Sequence, residues 1–267
     1  MFRIAIPLGL ILILAACGGS GGGGGTVASP FDNPRQTQMQ LAAIGQRADG
    51  GTSIISSNAV QVDSGEGTID AEFSLGYKGK FAQDRWVSDD KGNRIRVSGE
   101  GRFVRQVLVA GADGALIAGA LGSEATRMPT SGTARYSGSS TGFSQTYVEG
   151  QGLVTTEFTG TATMTANLTD GTGSYTIRDV SAATGDAPFH RLSGSLTIED
   201  GGIREERYGT RFVQVSADGP RHNGGFHSAN GAFYGPGGAE AGLAYQYRPL
   251  SEGAPSLIQG AMTASKQ

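Results

Sequence analysis

The chain has 267 residues, of which 37% are hydrophobic and 45 are glycine. Its 21 basic and 24 acidic residues give a formal net charge of −3, spread without long runs of either sign. That balance excludes a nucleic-acid binder, which needs a basic stripe to displace counterions, and the single cysteine excludes an internal disulfide.

Residues 1–16 read as a signal peptide, with Arg3 at the start, an apolar stretch from Ile4 to Leu14, and Ala15-Ala16 at the cut. The stretch is shorter than the roughly 20 apolar residues that cross a bilayer. Leu14-Ala15-Ala16-Cys17 resembles a bacterial lipobox. The resemblance implies cleavage before Cys17, acylation of that residue (palmitate included), and, with Gly18 rather than an acid next to it, residence at the outer membrane as a lipid-anchored protein. Two or more acyl chains anchor stably where one does not. Residues 17–30 then form a glycine-rich tether, which holds the body near the bilayer while leaving it free to rotate.

Asn33-Pro34 is a helix start, Asn capping and Pro in the first turn. It predicts a short helix to about Arg47, with Met39, Ala42, Ala43 and Gln46 on one face. Residues 52–121 carry a β pattern. Asp89-Asp90-Lys91-Gly92-Asn93 separates Trp86-Val87 from Arg94–Val97, and Gly111-Ala112-Asp113-Gly114 joins Phe103–Val109 to Ala115–Leu121 as a hairpin. The strands predict an open, partly covered sheet over residues 31–125.

Met128-Pro129-Thr130-Ser131-Gly132 marks a boundary. Beyond it, about eight strands alternate small and large inward residues, as a narrow barrel interior requires. Ala162, Met164, Ala166 and Leu168 face one way, with threonines on the other side, and the pattern returns at Leu192–Ile198, Leu243–Tyr247 and Ile258–Ala264. The last strand is expected to pair with the first near Thr133–Ser137. Outward positions are Thr, Ser, Arg and Glu, not the apolar band of a membrane barrel. The fold class is therefore all-β, with an eight-stranded soluble antiparallel barrel over residues 126–267 preceded by a β-rich domain.

Two stretches resemble the transferrin-binding-protein-B-like β-barrel lipoproteins. Gly231-Ala232-Phe233-Tyr234-Gly235-Pro236, followed by Glu240 and Gly242, is similar to that family's barrel signature, and Met128–Gly138 is similar to its barrel entry. Leu243 stands where the family has a second glycine, and Met262 where it has Phe. The resemblance implies a single lobe, made of a handle-like domain and a barrel, that docks an iron- or haem-carrying protein or a related solute. Phe233 and Tyr234 are expected on opposite sides of a strand that Gly235-Pro236 breaks, with Glu240 capping the broken backbone. The motif is read as a fold signature, and no binding residue is assigned.

No catalytic set is present. There is no nucleophile elbow, P-loop or dinucleotide fingerprint, so the protein is read as no enzyme and without a cofactor. His222 and His227 share a glycine-rich loop, but neither a cysteine nor a nearby acid completes a metal site. The expected partners are a membrane, reached through the lipid anchor, and a protein or small solute, with the protein itself a monomer. Two other readings stay open: a structural envelope lipoprotein with no ligand, and a lipocalin-like carrier of a small molecule.

Overall fold

The computed structural model describes residues 29, 31, 37–47, 50–63, 66–69, 77–80, 83–199, 201–204, 212–214, 221–222, 224–250 and 255–267. The signal segment, Cys17, all of the tether but Ser29, and residues 33–36, where the expected helix begins, lie outside them. Every regular element among the described residues is a strand.

The first sheet contains β1 (Thr37–Gln46), β2 (Thr52–Asp63), β3 (Glu66–Ile69), β4 (Tyr77–Lys80), β5 (Val87–Ser88), β6 (Arg94–Ser98), β7 (Val104–Ala110) and β8 (Leu116–Gly122). Its spatial order is β4-β3-β2-β1-β8-β7-β6-β5. The helix expected up to Arg47 is thus a strand instead, paired with β2 on one side and β8 on the other. Its Met39, Leu41 and Ala43 alternate into one apolar cluster with Ile95, Val107, Val109 and Ile117. A period of two, satisfied by neighbours on both edges, overrides the local capping signal.

The second sheet contains β9 (Thr133–Val148), β10 (Gly152–Asn167), β11 (Thr172–Ala182), β12 (Arg191–Glu199), β13 (Gly202–Arg204), β14 (Phe212–Gln214), β15 (Arg221–His222), β16 (Gly225–Tyr234), β17 (Glu240–Pro249) and β18 (Leu257–Lys266). β13 and β14 both pair with β12 and form one stave, which β16 and β15 flank as the next. Pairing of β11 with β12 and of β18 with β9 closes an eight-stave antiparallel barrel. The closing register runs Leu257 opposite Gln145 to Lys266 opposite Tyr136.

The interior is filled. Tyr136, Phe158, Met164, Tyr175, Phe189, Phe233, Tyr245 and Met262 form one buried cluster with smaller aliphatic residues between them. Ring contacts link them, with Phe158 edge-on to Phe189 at 5.0 Å and Tyr175 tilted on Tyr245 at 5.7 Å. A carrier of the lipocalin kind needs an empty lumen, and this packing overturns that reading.

The first sheet lies against the outside of β16, β17, β18 and β9. Successive residues of β8 divide between the two sides. Ile117 and Leu121 join the first sheet's own cluster, while Leu116, Ala118 and Ala120 turn to the barrel. Both faces of that strand are therefore buried. Away from this contact, the outer wall of β10, β11 and β12 presents Thr163, Thr165, Ser174, Thr176 and Ser193, with no apolar band among the described residues.

Candidate functional site

The Phe-Tyr-Gly-Pro motif sits at the foot of the barrel, where the first sheet docks. Phe233 points into the lumen against Tyr136, ring centroids 5.6 Å apart. Tyr234 points out and is enclosed by Phe103, Val104 and Ala120, with its hydroxyl 3.4 Å from the Ala120 carbonyl. Gly235 has φ of 72°, and the Phe103 ring occupies the space a Cβ would need. Gly242 lies under the docked sheet, and a Cβ there would come within 2.8 Å of Ala120, Tyr234 and Val104. Pro236 follows the strand end and forms an isolated parallel bridge with Thr126 in the connecting segment. Gly231 lies earlier in β16, opposite Leu243 of β17.

Glu240 does something other than cap its own broken strand. Its carboxylate accepts from the backbone N–H groups of Arg102, Phe103 and Val104, at 2.7, 2.8 and 3.0 Å. These donors lead into β7 of the other sheet, with Val104 its first residue. A buried carboxylate taking three amide protons is a charge-assisted clasp between the two parts of the molecule. The motif residues therefore meet at a structural junction, where the first sheet docks on the barrel.

Further polar contacts extend the junction. Gln259 is fully buried and its amide lies against the carbonyls of Ile44 and Leu116, at 2.9 and 3.1 Å. Gln106 reaches the Ser139 carbonyl at 2.8 Å and the Thr263 hydroxyl at 3.0 Å. Trp86, the sole tryptophan, stacks on Phe143 and donates to Glu157 at 2.9 Å. Arg96 pairs with the same carboxylate at 2.9 Å and donates to Thr141 at 2.7 Å.

Three buried tyrosines hold their protons tightly. Burial pushes Tyr136 up to about 12. Tyr234 and Tyr245 are raised further by the same cause, the latter despite the hydrogen bond it shares with Ser140.

The exposed apolar side chains gather at the opposite end. Tyr147 and Leu153 are 70% and 55% exposed and face each other across the β9–β10 hairpin. Phe226 and Leu250, 70% and 72% exposed, lie at the start of β16 and just past β17. Strand register puts all four on the same rim, because Tyr247 pairs with Ile258 and Leu257 with Gln145. They lie on the barrel's outer face and flank the β1–β2 turn. Gln46 and Gly50 of that turn meet Gln145 and Arg248 of the barrel. Scattered exposed apolar residues are ordinary, but these four share one rim.

The three histidines also belong to this end: His190 precedes β12, His222 lies in β15 and His227 in β16. Among the described residues no group of three or more His, Cys, Asp or Glu comes together. Sequence reasoning assigned none of the rim residues. Tyr147 beside the turn Glu149–Gly152 and Phe226 between Gly225 and His227 were the available signals, since aromatic side chains next to turn glycines face solvent at a hairpin tip.

No protein-family model matches the sequence, and no curated protein matches it. Solved structures do match the fold. A tryptophan-to-alanine mutant of transferrin binding protein B from Haemophilus parasuis aligns with TM-score 0.53 and 13% identity, over 85% of this chain and 45% of that one. Intact Ap-TbpB, with its N and C lobes, aligns with TM-score 0.53 and 14% identity, over 85% and 46%. The isotype 1 protein from serogroup B Neisseria meningitidis gives 0.51 and 13%, over 85% and 44%.

The chain has the fold of a transferrin-binding-protein-B lobe. In the terms of that fold the first sheet is the handle and the second the barrel. The chain spans less than half the length of these transferrin binding proteins.

Proposed function

We propose that this protein is a lipid-anchored outer-membrane lipoprotein that docks an iron- or haem-carrying protein on the apolar rim. The observation that carries the reading is the placement of Tyr147, Leu153, Phe226 and Leu250 around the handle's β1–β2 turn. Their exposure provides the apolar anchors that protein interfaces bury at their centre, and the filled lumen leaves binding to the outside of the barrel.

The position of the chain's entry supports it. Phe31 packs on the handle with the Arg105 guanidinium 4.8 Å from its ring centre. Arg105 lies near the start of β7, at the Glu240 end of the molecule. The tether thus joins the body at one end while the apolar rim stands at the other. An anchor at Cys17 then leaves the rim at the end of the body farthest from the tether, open to a large partner.

The test uses detergent-solubilised full-length protein, with transferrin and haemoglobin as probes in surface plasmon resonance. Saturable binding of either is expected, weakened about tenfold or more by Tyr147→Ser with Phe226→Ser. Binding of neither would favour the envelope role without a ligand. For the anchor, Cys17→Ser should move the protein from the membrane fraction to the soluble one, and retention in the membrane would defeat it.

A further inference from the structure

A second recess lies on the flank of the molecule, away from the rim. It is a cleft of about 880 Å³ between the handle segment after β6 and the outer wall of β9, β10 and β18. That volume suits a small ligand or a short stretch of a longer one. Its barrel wall is a hydroxyl surface built from Ser137, Ser139 and Thr161, and its mouth carries the exposed carboxylates of Asp84, Glu100 and Asp179. Asp179 stands at the register shift of β11 opposite Thr159–Thr161 and accepts from the Thr161 hydroxyl at 2.7 Å.

The lining selects a ligand by its hydrogen bonds. Among the described residues no aromatic ring lines the cleft, and the side chain of Ala264, its one aliphatic residue, belongs to the barrel core, so burial of apolar surface supplies little. The carboxylates disfavour an anion, and of the neighbouring arginines Arg96 is paired with Glu157 at 2.9 Å and Arg178 lies 3.6 Å from Asp179. A bare cation would need acceptors alone. The lining also offers donors, the exposed hydroxyls of Ser137 and Ser139 among them. Amides and hydroxyls both donate to carboxylates and accept from hydroxyls and N–H, but a hydroxyl does both through a single atom, which suits a wall of closely spaced hydroxyls.

The hydroxyl wall does not end at the cleft. Ser137 pairs with Thr163, Thr163 with Thr176, and Thr176 with Ser193, one hydroxyl per strand across β9, β10, β11 and β12. Strand spacing makes this a row with a step of about 4.8 Å. We infer that the cleft between handle and barrel binds a saccharide chain, whose hydroxyls bridge the carboxylates at the mouth and whose length continues along the hydroxyl rows of the outer wall.

An envelope polysaccharide and the glycan of a bound glycoprotein share this chemistry, and the probes separate them. Full-length protein in detergent is titrated with maltohexaose, with chitohexaose and with a free complex-type N-glycan, read by saturation-transfer NMR and calorimetry. Saturable binding is expected for at least one. Asp179→Asn with Thr161→Val should weaken it about tenfold or more, with the thermal midpoint held near that of the unmodified protein. Glu100→Gln, on an exposed turn, is a second variant that spares the strands and should weaken binding in the same direction. No saturable binding of any of the three, or unchanged binding by both variants, overturns the inference. Transferrin and haemoglobin binding at the rim should be unaffected by either variant, so failure here and failure of the docking role are distinguishable.

Discussion

At the residue scale, the junction depends on polar groups that have no water to fall back on. Glu240 is 6% exposed and satisfies three handle amides at once. Glu240→Gln keeps the shape but removes the charge and turns an amide N–H₂ toward N–H donors. The loss should be about 2 kcal/mol or more of folding stability, seen as a lower urea midpoint with an unchanged slope. The tyrosines set a separate limit at high pH. A phenol buried in neutral form binds its proton more tightly folded than unfolded, so its contribution is complete below the unfolded value of about 10 and is lost as pH rises above it. Stability should therefore be flat in this respect through neutral pH and fall between pH 10 and about 12, the value to which Tyr136 is raised. Tyr245→Phe should make that fall shallower, since it removes one of the three titrating groups. A fall of unchanged steepness in the variant would show that Tyr245 is not coupled to unfolding.

At the element scale, the contact between handle and barrel works because β17 is bare where the two meet. A valine at Gly242 would drive into Ala120, Tyr234 and Val104, all closer than 2.9 Å to its Cβ. Gly242→Val should cost about 1–3 kcal/mol through overpacking and shift Trp86 emission toward that of a solvated indole, with the far-UV spectrum retained. How much of this was legible in the sequence depends on the element. The barrel strands were readable where, as in β10, inward Ala162, Met164 and Ala166 alternate with Thr161, Thr163 and Thr165 on the outer face. β1 was misread because Asn33-Pro34 is a good cap in isolation and Ala42-Ala43 fits either period. Only pairing with β2 and β8, partners distant in sequence, decides it. The position of Phe233 and Tyr234 on opposite faces follows from strand geometry alone. The partner of Glu240 does not, because Arg102–Val104 lie more than 130 positions away in the chain and nothing local marks them as donors.

At the scale of the whole molecule, the question is whether handle and barrel behave as one body. Their contact combines an apolar layer, Leu108, Leu116, Ala118, Phe143 and Ala261, with buried hydrogen bonds that Gln106 and Gln259 donate and Glu240 accepts. Pulling them apart would expose that apolar surface and leave the amides and the carboxylate to be resatisfied together, which favours a single cooperative transition. The rim gives this coupling a functional consequence, since its two apolar pairs flank a handle turn that Gln145 and Arg248 hold in place. If the handle lifted away, a partner would meet the barrel half of the surface alone. Trp86 supplies the probe: it belongs to the handle chain, stacks on Phe143 of the barrel at 6.1 Å between centroids, and donates to Glu157. No other tryptophan competes with its signal. In urea, Trp86 fluorescence and far-UV circular dichroism should give one midpoint and one slope. A fluorescence transition at lower urea would mean that the handle undocks before the barrel unfolds, and that the rim is assembled only part of the time.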